Sequence, residues 1–418
     1  MRVLHVSHLY CPSVGGNQIQ NQGLSEMLAT QGETVTVFTT NAVLPKHLTQ
    51  RDRAYVPLPA CEVINGVTVR RFAPYYRVRK AFVKSSGVVA RTAHSVGAHR
   101  FGHRIELLRS RGPFVPQMLG AIRRYRPDVI QAHGGYPATT YYCHVARKRF
   151  GFPLVIRPTT HVAQGWHRHP FQLELYRVAD RLIVSTKFER RVLVEQGVPE
   201  EKTILIGNGV HLEPFLKVDG GAFRRQHHIG EAQVVAFVGR KTSGKGAEHL
   251  IDAMELVWKQ MPAVRLVMAG QQDSAYATVI RERLQRLRQS HAGAVIDIDD
   301  FAEDEKPEIY AACDVLVMPS NTDSFGIVYL EAWASGKPVM ACKGTPQETI
   351  IDHEKDGLLV EYGDTRELAE GIVRLLADDD WRTRLGQNGR KKVLANYTWE
   401  IVAAKVRDVY RQLVPLSR

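Results

Sequence analysis

Met318–Pro346 reads MPSNTDSFGIVYLEAWASGKPVMACKGTP. A short apolar run, Asp314–Met318 (DVLVM), leads into it and reads as a strand buried on both faces. Pro319 ends that strand because it has no N–H for a ladder. Ser320–Ser324 is a polar loop. From Phe325–Gly326 the pattern becomes helical, with Ile327, Leu330 and Ala334 at helix spacing. Gly336 stands where a C-cap glycine belongs, Pro338 lies just beyond, and Pro338–Ala341 is the next strand. Strand, loop, helix, strand is the unit of an open parallel sheet, which binds ligands at the carboxyl ends of its strands.

Two carboxylates fall at that edge, Asp323 in the loop and Glu331 eight positions on. The reading puts Glu331 two turns into the helix, on the face turned back to the loop. The free N–H groups of Gly326, Ile327 and Val328 make an anion site at the helix start. Acids that accept from hydroxyls, beside amides that donate to phosphate, suit a nucleotide sugar. The bland alternative is an ordinary strand–helix unit with two surface acids.

PSNTDSFGIVYLEAWASGKPV resembles the acid-x7-Glu signature of retaining glycosyltransferases of family 4, the group 1 transferases that include glycogen synthase-like and phosphatidylinositol mannosyltransferase-like enzymes. The family usually carries Glu first, where this chain has Asp323. The resemblance implies an α/β protein of the GT-B fold, two Rossmann-like domains facing across a cleft. It places residues 1–207 and a returning helix 399–418 on the acceptor side, and 208–398 on the donor side.

The 418 residues suffice for two domains, and 44% are hydrophobic. Cys11, Cys61, Cys143, Cys313 and Cys342 show no metal or disulfide spacing and read as reduced thiols of a cytoplasmic protein. No apolar run reaches the ~20 residues of a membrane span. The net charge is +13, and Arg70–Arg126 alone holds fourteen Arg and Lys against Glu106, an excess equal to that of the whole chain. Such a field attracts an acidic acceptor or an anionic membrane surface, consistent with a peripheral place on the inner face of the plasma membrane. Nucleic acid ranks lower, for want of a motif. A solvated amphipathic helix through Val89, Ala93, Val96, Ile105 and Leu108 is the plain alternative.

From the start, Arg2–Ser7 is a strand, Cys11–Gly16 a turn and Thr34–Thr39 a strand. Gly15 and Gly16 let backbone approach a ligand at a helix start. Leu44–Pro59 is a loop and Val67–Phe72 a strand. Arg126–Gly134 is a strand ending in His133, placed for a ligand or for a structural role. His161 has a similar position, and His167 with His169 gives a weak metal idea. Asn208-Gly209-Val210 precedes a linker, Leu212–Gln233. Val234–Val238 is a strand running into Gly239-Arg240-Lys241-Thr242-Ser243-Gly244-Lys245-Gly246. Arg240 and Lys245 on this loop suit a diphosphate, one as a bidentate fork and one as a point charge. Asp297-Ile298-Asp299 is formally a DxD and reads as incidental.

The same family resemblance extends to these segments. GRxxxxKG assigns Arg240 and Lys245 to the donor pyrophosphate, and the family's PDVIHxH, whose last His approaches the transferred sugar, assigns that role to His133. Gly15 and Gly16 face the donor phosphates, and Asp323, Phe325, Gly326, Ile327, Val328 and Glu331 complete the donor site. The implied reaction transfers a hexose-type sugar with retention to a glycan or lipid-linked acceptor, with no cofactor and no metal. Three alternatives stay open: a sugar-nucleotide epimerase on the same fold, an inactive protein that binds polyanions or nucleotide sugars, and structural membrane association through the basic region alone.

Overall fold

Val234–Val238 is five consecutive buried residues with no polar member, which only a strand covered on both faces can use. In the computed structural model this strand sits inside a parallel sheet, as the run predicts. The structure describes residues 1–50, 55–76, 112–134, 137–159, 168–271 and 277–414. The chain divides into two compact units, Met1–Gly209 with Trp399–Arg418, and Val210–Thr398.

In the first unit the strands are β1 (Arg2–Val6), β2 (Thr34–Thr40), β3 (Cys61–Ile64), β4 (Val67–Phe72), β5 (Val129–His133), β6 (Leu154–Arg157), β7 (Arg181–Val184) and β8 (Thr203–Leu205). They lie in the order β3-β4-β2-β1-β5-β6-β7-β8, all parallel except the β3–β4 hairpin. Alternation along the strands feeds two cores. Leu4, Val6, Ile130 and Ile156 pack against Met118, Cys143 and Leu193 on one face. Val3, Val129 and Val155 pack against Leu24, Leu28, Val402 and Val406 on the other. The second face is covered by helices Gly16–Thr30 and Trp399–Leu413, so the chain's last helix belongs to the first unit.

Trp399 shows why that return is tight. Its indole is 1% exposed. A Cβ placed on Gly23 would lie 2.4 Å from the ring and one on Gly209 2.3 Å from it. Two glycines far apart in sequence thus form the slot for one aromatic ring.

The second unit holds β9 (Val234–Val238), β10 (Arg265–Ala269), β11 (Val295–Ile298), β12 (Val315–Val317), β13 (Val339–Cys342) and β14 (Gly357–Val360). Their order is β11-β10-β9-β12-β13-β14, wholly parallel. The reading of Leu212–Gln233 as a linker is corrected. It contains helices Glu213–Leu216 and Gly221–Gln226, and Phe223 and Ile229 join the unit's core. The helix Asp379–Asn396 escapes a periodicity reading because Gly386 and Gly389 interrupt it. Those glycines let it lie directly on its neighbours: a Cβ would come 1.9 Å from the Gly336 oxygen and 1.9 Å from the Trp333 ring.

The basic region is described only in part, and Arg77–Arg111 with its expected helix lies outside the described residues. Arg71 leaves the field altogether: it is buried, paired with Glu62, and donates to the Cys11 carbonyl at 2.7 Å. Among the described residues no helix is long and apolar enough to cross a membrane.

Candidate active site

In the second unit, β9 runs out at Gly239, whose φ of 153° favours glycine. Arg240 follows, exposed and, among the described residues, without an ion-pair partner. Lys241 turns the other way and is fully buried. It reaches past β10 to β11, where it pairs with Asp297, meets Asp299 at 3.0 Å and donates to the Ile298 carbonyl at 3.1 Å. The DxD is therefore the anchor of this lysine. Lys241 carries no sequence signal of this role, and the two aspartates read as incidental in the linear chain. Only the folded sheet brings positions 241 and 297 together.

The loop then docks on the one after β12. The Gly244 carbonyl accepts from the Asn321 amide at 3.0 Å, Ser320 Oγ at 3.1 Å and Thr322 Oγ1 at 2.9 Å. A Cβ on Gly246, where φ is 69°, would stand 2.1 Å from the Pro319 oxygen. These contacts bring Lys245 onto Asp323, and the two side chains form an ion pair at 18% and 11% exposure.

Gly326, with φ at 86°, opens the helix Ile327–Ala334, which has no side-chain cap. The Phe325 oxygen is held by Gln347 Nε2 at 3.0 Å, and Tyr329 Oη donates to the Met318 oxygen at 2.8 Å. The amides of Ile327 and Val328 thus begin a helix fixed to its strand, with N–H groups that have no intrahelical acceptor. Glu331 is the fifth helical residue, so it stands one turn in, where two were expected. Its carboxylate accepts from Tyr310 Oη at 2.7 Å and meets Lys306 Nζ at 3.4 Å. A carboxylate has about four acceptor sites, so both bonds leave capacity for a ligand hydroxyl. Burial acts to lower the Lys306 ammonium, but Glu331 and Glu303 outweigh it and its pKa is raised.

In the first unit Gly15 precedes and Gly16 starts the helix Gly16–Thr30, again without a side-chain cap. A Cβ on Gly15 would meet only the end of the Gln18 side chain, at 2.5 Å, so the local fold does not itself require glycine there. His133 ends β5 and is fully buried. Its Nε2 lies 3.0 Å from Gln131 Nε2, and its Nδ1 has no hydrogen-bond partner among the described residues. Burial first, then His5, Arg157 and His8, push its pKa well below the ordinary histidine value. His133 is therefore a neutral ring, suited to hydrogen bonding and not to carrying a proton at neutral pH. Thr160, His161 and His167 lie outside the described residues, while His169 Nδ1 accepts from the Phe171 amide at 3.3 Å and caps a helix. No group of metal-binding side chains occurs among the described residues.

Family models match both units in turn. Residues 15–209 match a glycosyl transferase 4-like domain and residues 221–392 match glycosyl transferases group 1. The chain belongs to the group 1 glycosyltransferases of family 4 type. One relative is the D-inositol 3-phosphate glycosyltransferase of Thermobispora bispora, 29% identical over 72% of this chain and 74% of that one. Among solved structures, sucrose-phosphate synthase from Thermosynechococcus elongatus has a TM-score of 0.72 at 23% identity, covering 98% of each chain. Anabaena HepE in complex with UDP-glucose has a TM-score of 0.73 at 18% identity, covering 98% of this glycosyltransferase and 99% of HepE. The fold is GT-B.

Proposed function

We propose that this glycosyltransferase moves a hexose-type sugar from a nucleoside-diphosphate sugar to a glycan or lipid-linked acceptor, with retention and without a metal. The observation that carries the reading lies within the second unit: an exposed Arg240 on the loop that sets Lys245 against Asp323, with the open helix start at Ile327 nearby in the chain. Two cations and free amides offer a diphosphate both charge and donors. In this reading Arg240 and Lys245 neutralise charge growing on the leaving diphosphate, and each such donor contributes on the order of 3 kcal/mol. Asp323 holds a sugar hydroxyl, Glu331 accepts from the ribose, and the amides of Phe325 to Val328 meet sugar and phosphate. His133 accepts from or donates to the transferred sugar as a neutral ring, and Gly15 and Gly16 leave room for the acceptor. Retention without a protein nucleophile follows the family resemblance: the donor's phosphate takes the acceptor proton.

Metal independence draws support from Asp297 and Asp299, which are both held by Lys241. The relative named for D-inositol 3-phosphate favours a phosphorylated acceptor, which the basic region 70–126 would attract. The test is hydrolysis and binding of UDP-glucose, UDP-N-acetylglucosamine, UDP-galactose and GDP-mannose by wild type and Arg240→Ala, with EDTA present. Saturable binding or slow hydrolysis, lost in the variant and indifferent to EDTA, is expected. Binding by none of the four would overturn the reading.

A further inference from the structure

A line of buried polar side chains crosses the face of the first sheet that the C-terminal helix covers. His5 on β1 pairs in register with Gln131 on β5, and His133 stands two residues further along β5. Ser25 Oγ is 2.7 Å from His5 Nδ1, His5 Nε2 is 3.0 Å from Tyr410 Oη, and Tyr410 Oη is 2.7 Å from Gln131 Oε1. The other end of that amide is 3.0 Å from His133 Nε2. Tyr410 belongs to the helix Trp399–Leu413, nearly three hundred residues after the strand it contacts. All five side chains are essentially inaccessible to solvent.

We propose that Tyr410 is a positioning residue for His133: acting through Gln131, it fixes which ring nitrogen of His133 carries the proton. The sense of the chain follows from one bond that has only one sense. Ser25 Oγ is 2.6 Å from the Asn21 carbonyl, which can only accept, so the single hydroxyl proton goes there. His5 Nδ1 then brings its own proton to Ser25. Burial, with the neighbouring Arg157 guanidinium, pulls the His5 pKa down to about 3, so the ring is neutral and Nε2 accepts from Tyr410. Tyr410 has now given its only proton. The Gln131 amide must therefore offer it NH2 and turn its carbonyl to His133. This is the end-for-end turn of an amide whose two ends have nearly the same shape. His133 Nε2–H donates to that carbonyl, and Nδ1 keeps a bare lone pair with no partner among the described residues. A bare, buried ring nitrogen at the end of a parallel strand is an acceptor for a ligand hydroxyl.

The inference rests on His133 serving the transfer described above, but its decisive readout does not. Nitrogen-15 spectra of histidine-labelled protein report the tautomer directly, with His133→Asn used to assign the signal. The wild type is expected to show the Nε2–H form alone. Tyr410→Phe is expected to give a mixture of both tautomers and about a tenfold fall in kcat at unchanged donor KM, the lower end of what loss of an outer partner costs at metal-bound histidines. Gln131→Met is a second route to the same result if Tyr410→Phe folds poorly. Val409→Ala, a packing change one residue away in the same helix, is expected to lower Tm and leave the tautomer alone. A His133 in the Nδ1–H form in the wild type, or a single unchanged tautomer in both variants, would overturn the proposal. If the wild type turns over no sugar nucleotide, the proposed function fails while the spectra still decide this point.

Discussion

Lys245 and Asp323 form an ion pair between two loops 78 residues apart in sequence. The cation assigned to the diphosphate is thus held by the acid assigned to the sugar. On the proposed reading, a donor exchanges this internal pair for two new ones.

The exchange separates two roles. Asp323→Asn removes the competing charge, so UDP or GDP alone is expected to bind the variant at least as tightly as the wild type. Turnover of the sugar nucleotide is expected to fall at least ~10-fold, about 1.4 kcal/mol of transition-state binding. Titration calorimetry with the diphosphate, beside a hydrolysis assay, checks both. A tenfold loss of diphosphate affinity in Asp323→Asn would show that the acid does not compete for Lys245.

Lys241 is a structural cation with no exposure. Lys241→Met leaves the Asp297 carboxylate, itself 10% exposed, with Arg288 at 3.7 Å as its remaining cation among the described residues. Breaking a buried pair from one side costs roughly 3–5 kcal/mol. Asp299→Ala, whose side chain is 66% exposed, is expected to cost under about 1 kcal/mol. Denaturant unfolding of the two variants side by side is the measurement, and equal midpoints would refute the ranking.

Trp399 closes the first unit against Gly23 and Gly209. Trp399→Ala is expected to destabilise by roughly 3–5 kcal/mol, as for other buried aromatics. Gly209→Ala is expected to cost about 1–3 kcal/mol by overpacking the same slot. If Gly209→Ala unfolds at the wild-type midpoint, the slot is looser than described.

Acid should weaken the first unit earlier than carboxylate titration predicts. Burial lowers His5 to about 3, lowers His8 to about 3, and lowers His133 well below its ordinary value. Below pH 6.5 the unfolded chain takes up these protons and the folded chain does not, so stability is intact above pH 6.5 and falls as pH drops toward 3. Between pH 6.5 and 5 each such histidine removes about 2 kcal/mol. Thermal unfolding at pH 7.5, 6 and 5 tests this, and His8→Asn is expected to flatten the slope. A Tm that does not change across this range would rule it out.

Much of the fold was legible from the sequence. Val234–Val238 and Val67–Phe72 fall where their apolar runs put them, and the helix Trp399–Leu413 lies within the returning segment that the family resemblance implies. The strand–loop–helix around Asp323 was legible too, because proline and glycine mark its turns. Gly326 and Gly336 both take the positive φ their positions require. The helix Asp379–Asn396 was hidden by glycines that exist for packing, and the helices after Leu212 are too short for a period to register.

By itself the sequence determined the strand-and-helix order and the cations, acids and glycines at the strand ends, because these follow from local periodicity and backbone permission. Only the tertiary structure decided the partnerships: Lys241 with the aspartates of β11, Lys245 with Asp323, Trp399 with two distant glycines, and Tyr410 with Gln131. Each joins residues far apart in the chain. Such contacts depend on strand order and on burial, which set distance and dielectric in three dimensions and leave no period in the sequence.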